Sequence, residues 1–169
     1  MTVRVHYFNQ NYDFQVNTRT CAIVNGSEIV AQELRRFQSW NPNFLDMVEY
    51  FRPNSGQAEG FRHTVEDNLT SATNCFSVYY QISTEYYMDT SGLGNVVFGY
   101  YMSWSNQTFE DIVSNLDQGV NRETFGHAWD NPDDTSQRRM GRRIAEAVDS
   151  GDSIDSSLVE SAAQQADLR

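Results

Sequence analysis

Lysine is missing from this chain. All twelve basic residues are arginine, set against 23 aspartates and glutamates, and the formal net charge is −11. Lysine is ordinarily among the commonest residues. Its absence fits the acidic surface of a salt-adapted or GC-rich proteome. A sharper alternative is a chain that must survive in a eukaryotic cell, where lysine is the attachment point for ubiquitin. So negative a balance argues against unaided wrapping around nucleic acid. No apolar run reaches the length of a membrane span, and there is no leader of the n-region, h-region type, so export would rely on a segment outside these residues. Also missing are a GxSxG elbow, a P-loop, an HExxH pair, a GxGxxG after a strand and an EF-hand loop, which excludes those hydrolase, nucleotide-binding and metalloprotease classes in recognisable form. There are only two cysteines, Cys21 and Cys75, 54 residues apart. Without CxxC spacing or a histidine cluster a zinc site is not expected, and they read equally as one disulfide or as two buried thiols. Three N-x-S/T sequons, at Asn25, Asn68 and Asn106, matter only in a secretory setting.

What is present suffices for one domain with a real core: 169 residues with ten Phe, nine Tyr and three Trp. VRVHYF (3–8) alternates as a strand, and DFQV (13–16) reads as a second. Ser27 offers an N-cap to a helix through Trp40, with Val30, Leu34 and Phe37 on one face. Asn41-Pro42 opens another helix that Arg52-Pro53 ends. CFSVYYQI (75–82) and VVFGYYM (96–102) read as antiparallel neighbours joined by the turn SGLGN. Thr108 and Asp111 resemble a capping box, and a further helix is expected from Ser136 to Val148, burying Met140, Ile144, Ala147 and Val148. The expectation is an α+β domain over residues 1–150, a small antiparallel sheet packed against several helices. A weakly helical tail, opened by a Ser157–Glu160 box, would follow over 151–169.

Chemistry concentrates in FGHAWDNPDDTSQRRMGRRIAE (125–146). Asp134 stands three residues before Gln137, the spacing of an N-cap and its reciprocal partner. Such a cap leaves His127, Trp129 and Asp130 of the preceding loop without a structural explanation. Arg138/Arg142 and Arg139/Arg143 form two i,i+4 rows whose like charges repel unless an anion or acidic neighbours face them. They are the strongest basic patch in the chain, suited to phosphate. FRHTVEDN (61–68) carries a second set, with His63 and Asp67 one helical turn apart. His63 and His127 could serve as base and acid in metal-free phosphodiester cleavage, with arginine stabilising the transition state. Neither a metal nor another cofactor is called for. Tyr79, Tyr80, Tyr86, Tyr87, Tyr100 and Tyr101 could stack on bases or pack a sheet face, and Tyr101 is taken as a substrate-binding candidate.

GNVVFGYYMSW (94–104), then TFEDIVSNLDQGV (108–120), then DNPDD before a helix bearing Gly141, resembles the core of the bacterial polymorphic toxin type 44 domain. The likeness spans roughly residues 43 to 148, with WNPNFLDMVEYF similar to an earlier family helix. It implies a G-N-x-x-x-G strand and a paired-aspartate segment before a glycine-bearing helix, carried here by Asn95, Gly99, Asp130, Asp134 and Gly141. It also implies a secreted effector toxin with enzymatic, nuclease-type activity. FRHTVEDN stands where a W-D-x-K-like segment of the family would be expected. The resulting expectation is a toxin-like enzyme, secreted or delivered into a target cell. Its histidines His127 and His63 would act as acid and base, Asp130 would orient His127, and the arginines would hold phosphate. The expected partners are a nucleic acid substrate and a cognate immunity or carrier protein, with no membrane span. An acidic immunity-type module masking a basic enzyme, or a hydrolase of a phosphate-containing envelope precursor, are the alternatives.

Overall fold

The alternating start of the chain becomes a β-hairpin. In the computed structural model, which describes residues 1–7, 10–40, 62–104, 132–166 and 168, β1 (Thr2–Tyr7) pairs antiparallel with β2 (Gln10–Asn17). Val5 and Tyr7 of β1 and Tyr12, Phe14 and Val16 of β2 turn into the core. On the solvent face Arg4 stands directly opposite Asp13 and grips it with two hydrogen bonds, of 2.7 and 3.0 Å. Those bonds hold the Asp13 carboxyl below its usual range, but an exposed pair of this kind adds little stability.

After β2, the Asn17 side chain accepts from the backbone N–H of Arg19 and of Thr20, a local turn of the kind asparagine favours. It delivers the chain to β3 (Ala22–Ile23), followed by α1 (Gly26–Trp40). Ser27 is not the cap expected of it. It lies inside the first turn, where its hydroxyl donates to Glu160 at 3.2 Å. The chain resumes as a single π-helical turn (Arg62–Glu66) running into α2 (Asp67–Thr73), then β4 (Tyr79–Gln81) and β5 (Tyr87–Met88). The sheet order is β1-β2-β3-β4-β5. β3 and β4 run parallel, so the sheet is mixed rather than purely antiparallel. The connection through α1 and α2 is what permits this, because parallel neighbours need a long crossover.

A disulfide closes that crossover. Cys21 and Cys75 are bonded, with Cα atoms 5.8 Å apart. Cys21 (φ 56°) and Asn74 (φ 57°) both take the left-handed conformation, Asn74 as the C-cap of α2. The bond thus joins two sharp corners, and beside it the Tyr79 N–H donates to the Cys21 carbonyl at 3.0 Å. Restricting so long a loop in the unfolded chain contributes on the order of 2–4 kcal/mol.

The segment read as the second strand of a pair is a helix. α3 (Thr90–Trp104) takes in both SGLGN and VVFGYYM, with Asp89 accepting from Gly92 N–H at its start. The G-N-x-x-x-G strand implied by the family resemblance is therefore helical here. Alternate positions 97, 99 and 101 are as apolar as 96, 98, 100 and 102, so the pattern never separated two faces. A segment apolar on every side suits a helix enclosed by protein, and residues 92–102 are buried.

α4 (Pro132–Asp149) packs along α3. Met140, Ile144 and Ala145 are buried; Ala147 and Val148 are half-buried. α5 (Ser156–Gln165) is capped by Asp155, whose carboxylate accepts from Leu158 N–H at 2.9 Å, and not by the Ser157–Glu160 box. Val159, Ala162 and Ala163 dock it on α1 and α4, and Arg35 donates to the Ile154 carbonyl at 2.6 Å. The whole is an α+β fold: a small mixed sheet with helices against it. Among the described residues no helix is long and apolar enough to cross a membrane. The helices expected over 41–52 and from Thr108 lie outside the described residues.

Candidate functional site

Four residues singled out in the sequence meet where α3 crosses α4. Gly92, Asn95 and Gly99 recur at helical spacing on one side of α3; Asp134, Gln137, Arg138 and Gly141 do so on α4. The two glycines let the backbones touch. A Cβ at Gly141 would overlap the Val96 carbonyl oxygen and stand 2.6 Å from the Tyr100 nitrogen, and one at Gly99 would overlap the carbonyl of Arg138. Beside this contact, buried Asn95 donates through Nδ2 to Asp134 Oδ1 at 2.9 Å and to Gln137 Oε1 at 3.0 Å. Gln137 in turn donates to the Tyr86 hydroxyl at 2.9 Å. Asp134 is thus no N-cap. The helix already begins at Pro132, in the first-turn position that proline favours, and the Asp134 carboxylate ties α4 to α3.

The four arginines divide. Arg138 is half-buried and donates to Thr135 Oγ1 at 3.4 Å. Arg142 pairs with Glu146 one turn on, at 3.2 Å, both side chains exposed. Arg139 is exposed and Arg143 half-buried, and neither has a carboxylate partner among the described residues. Arg143 also keeps a buried Nε without a hydrogen-bond acceptor among the described residues. An unsatisfied buried N–H is costly, more so on a charged group, and like charges one helical turn apart repel.

No known family, curated protein or solved structure matches this chain.

The other expected site residues are less easily gathered. His127 and Asp130 lie outside the described residues. His63 belongs to the π-helical turn, but its side chain, like that of Arg62, is also outside what is described. Tyr101 is buried on α3, as are Tyr80 and Tyr100 in the core, so none of these three rings presents a face to a base. Of the six tyrosines considered for stacking, Tyr79 and Tyr87 are exposed.

One charged cluster was missed in the sequence. Glu33 and Arg36 of α1, 0% and 3% exposed, form an ion pair 2.5 Å apart. The Tyr12 hydroxyl donates to Glu33 at 2.6 Å. The Arg36 guanidinium lies over the rings of Tyr7 and Phe37, at 4.9 and 4.6 Å from their centres. Burial weakens the hold of the guanidinium on its proton, but the charge and hydrogen bonds of Glu33 more than offset it, and Arg36 stays protonated. The available signal was their i,i+3 spacing beside Val30, Leu34 and Phe37; only the breadth of the buried face of α1 makes it a buried pair. Nearby, Thr90 donates to Glu66 at 3.0 Å, and Tyr80 lies against this second carboxylate.

These surroundings set an alkaline limit. Burial first, and then the charge of Glu33, push the Tyr12 phenol far above its ordinary value; burial and Glu66 do the same to Tyr80. In the unfolded chain both ionise near pH 10. Their contribution is therefore intact below about pH 10 and declines above it, by about 1.4 kcal/mol per pH unit for each tyrosine. Urea unfolding followed from neutral to strongly alkaline pH should show that decline, with a shallower slope in Tyr12→Phe. An alkaline slope that Tyr12→Phe leaves unchanged would rule Tyr12 out as a contributor.

Proposed function

We propose that the chain is a toxin-like effector, secreted or delivered into a target cell, that cleaves nucleic acid without a metal ion and prefers RNA to DNA. RNA carries its own nucleophile. One imidazole accepts the proton of the 2′-hydroxyl as that oxygen attacks phosphorus, and a second gives a proton to the departing 5′-oxygen. His127 and His63 fill those roles, Asp130 orients His127, and Arg139 with Arg143 neutralise the charge that builds on the phosphoryl oxygens.

The observation that carries the reading is the Arg139/Arg143 row: two cations without a carboxylate partner among the described residues, in a chain of net charge −11. That row lies in the helix that follows the His127–Asp130 segment in sequence. The disulfide supports an oxidising destination or route, and the missing lysines suit delivery into a eukaryotic cell. The same motifs resemble the polymorphic toxin type 44 domain. Asn95, Gly99, Asp134 and Gly141 serve in this reading as the scaffold that fixes α4.

The test is cleavage of a labelled RNA by the purified chain in chelator. The expected result is cleavage that falls about 10²–10⁴-fold in His127→Ala. In Arg139→Gln/Arg143→Gln it should fall about 10²-fold, with a weaker dependence on salt. Intact RNA with the unsubstituted protein, or equal cleavage by His127→Ala, would overturn the proposal.

A further inference from the structure

Five large apolar side chains are exposed among the described residues, and three of them, Phe76, Tyr79 and Tyr87, gather beside β4 and β5. Along β4, Tyr79 and Gln81 turn outward while Tyr80 is buried; along β5, Tyr87 turns outward while Met88 is buried. Gln81 stands opposite Tyr87, so Tyr79 and Tyr87 are diagonal neighbours on one face, within reach of a common ligand. They are 44% and 46% exposed.

Phe76 is 100% exposed and follows immediately on the disulfide-bonded Cys75. The backbone that presents it is tied down on both sides, by the Cys21–Cys75 bond and by the Tyr79 N–H on the Cys21 carbonyl. An aromatic ring held out on a fixed backbone loses little freedom on binding and suits the role of an interface anchor.

The two charged residues of the segment that carries Tyr79 and Tyr87, residues 79–90, are both acidic. Glu85 and Asp89 are exposed at the two ends of β5, and the chain carries no arginine between Arg62 and Arg122. Phosphate is repelled there, whereas a guanidinium or ammonium gains both the carboxylates and the exposed faces of the rings. Identical faces on two copies would set like charges together. We propose that this face, Phe76 with Tyr79, Tyr87, Glu85 and Asp89, is a docking surface for a basic polypeptide whose arginine or lysine side chains lie across the aromatic rings. Tyr86, the residue before Tyr87, reaches the other way to Gln137 of α4, so the surface is separate from the arginine row. The proposal is independent of the nuclease reading and is tested by binding alone.

The probe is a short fluorescent peptide of alternating arginine and leucine, titrated with the full chain beside a glutamate–leucine peptide of equal length and a single-stranded RNA. Phe76→Ser/Tyr79→Ser/Tyr87→Ser should weaken binding of the basic peptide about tenfold or more. Glu85→Gln should weaken it measurably, and Asp152→Asn, which removes one exposed charge elsewhere, should leave it within about twofold. Asp89 is left in place because it caps α3. If the triple variant melts early, Phe76→Ser alone, at a fully exposed position, carries the test with an expected loss of about threefold or more. Unchanged binding in the aromatic variants overturns the proposal, as does an equal loss in Glu85→Gln and Asp152→Asn, which reduces the effect to net charge. RNA competing for the same face overturns it too, as does sedimentation showing that the aromatic substitutions abolish self-association instead.

Discussion

Gly141→Val is expected to cost about 4 kcal/mol or more, and Gly141→Ala about 2–3 kcal/mol. In an ordinary exposed helix position the second change would stabilise by about 1 kcal/mol, since alanine is the better helix former. The sign reverses here because a methyl group at 141 would occupy the space of the Val96 carbonyl. That carbonyl is backbone and cannot swing aside, so the helices must part. Parting them lengthens the hydrogen bonds from Asn95 to Asp134 and Gln137, which leaves buried polar groups short of partners. For a chain of this size each kcal/mol is about 2–4 °C of melting temperature. Thermal unfolding of the two variants is the check, and a Gly141→Ala protein that melts at or above the unsubstituted temperature would show that the close crossing is not there. Gly99→Ala, facing the Arg138 carbonyl, should behave in the same way.

Glu33→Leu is the second large effect, a loss of about 3–5 kcal/mol. The cost does not measure the worth of the ion pair. It is the penalty of taking the carboxylate away from a buried, charged Arg36 guanidinium, together with the loss of the Tyr12 hydrogen bond to Glu33. Removing all three polar ends, in Glu33→Leu/Arg36→Met/Tyr12→Phe, should recover most of that loss, because well-packed apolar groups of similar volume replace a buried pair at little or no cost. Urea unfolding of the single and triple variants decides it. A single variant within about 1 kcal/mol of the parent would mean that water reaches Arg36 freely, and a triple variant as unstable as the single would mean that the cluster fixes the packing of α1 on β1 and β2.

The hairpin, α1 and α4 were legible in the sequence because each has one wet and one dry side. Arg4 and His6 alternate with Val5 and Tyr7, and the arginines of α4 lie opposite Met140 and Ile144. α3 was misread for the converse reason: with every side enclosed, it carries no period to read. Its helical character was nonetheless encoded in Gly92, Asn95 and Gly99, whose spacing makes sense only on a helix facing another backbone. Caps were misassigned at Ser27, Asp134 and Ser157. Each residue has the right chemistry for a cap, but Asp134 bonds a residue distant in sequence, and so does Ser27; Asp155 preempts Ser157 by two positions. The candidate site divides along the same line. The motif residues could be picked out individually, but that Asn95 and Asp134 touch is a tertiary fact, and so is the difference between Arg142, which finds Glu146, and Arg139, which finds no carboxylate among the described residues.

The parallel pairing of β3 with β4 also governs the order in which this protein can assemble. The β1–β2 hairpin joins near neighbours and can close within microseconds, whereas Ala22 and Ile23 must wait for Tyr79 and Tyr80 to return from beyond α1 and α2. Contacts so distant in sequence form slowly, because the loop must be closed before the contact rewards it. Until then the β3 side of the hairpin is an open edge, available to other chains. Oxidation of Cys21 with Cys75, 54 residues apart and beside that edge, would hold the returning segment at its docking point. A chain synthesised under reducing conditions should therefore pass more slowly through the stage at which it aggregates, and its yield of folded protein should depend on the redox poise of the refolding buffer.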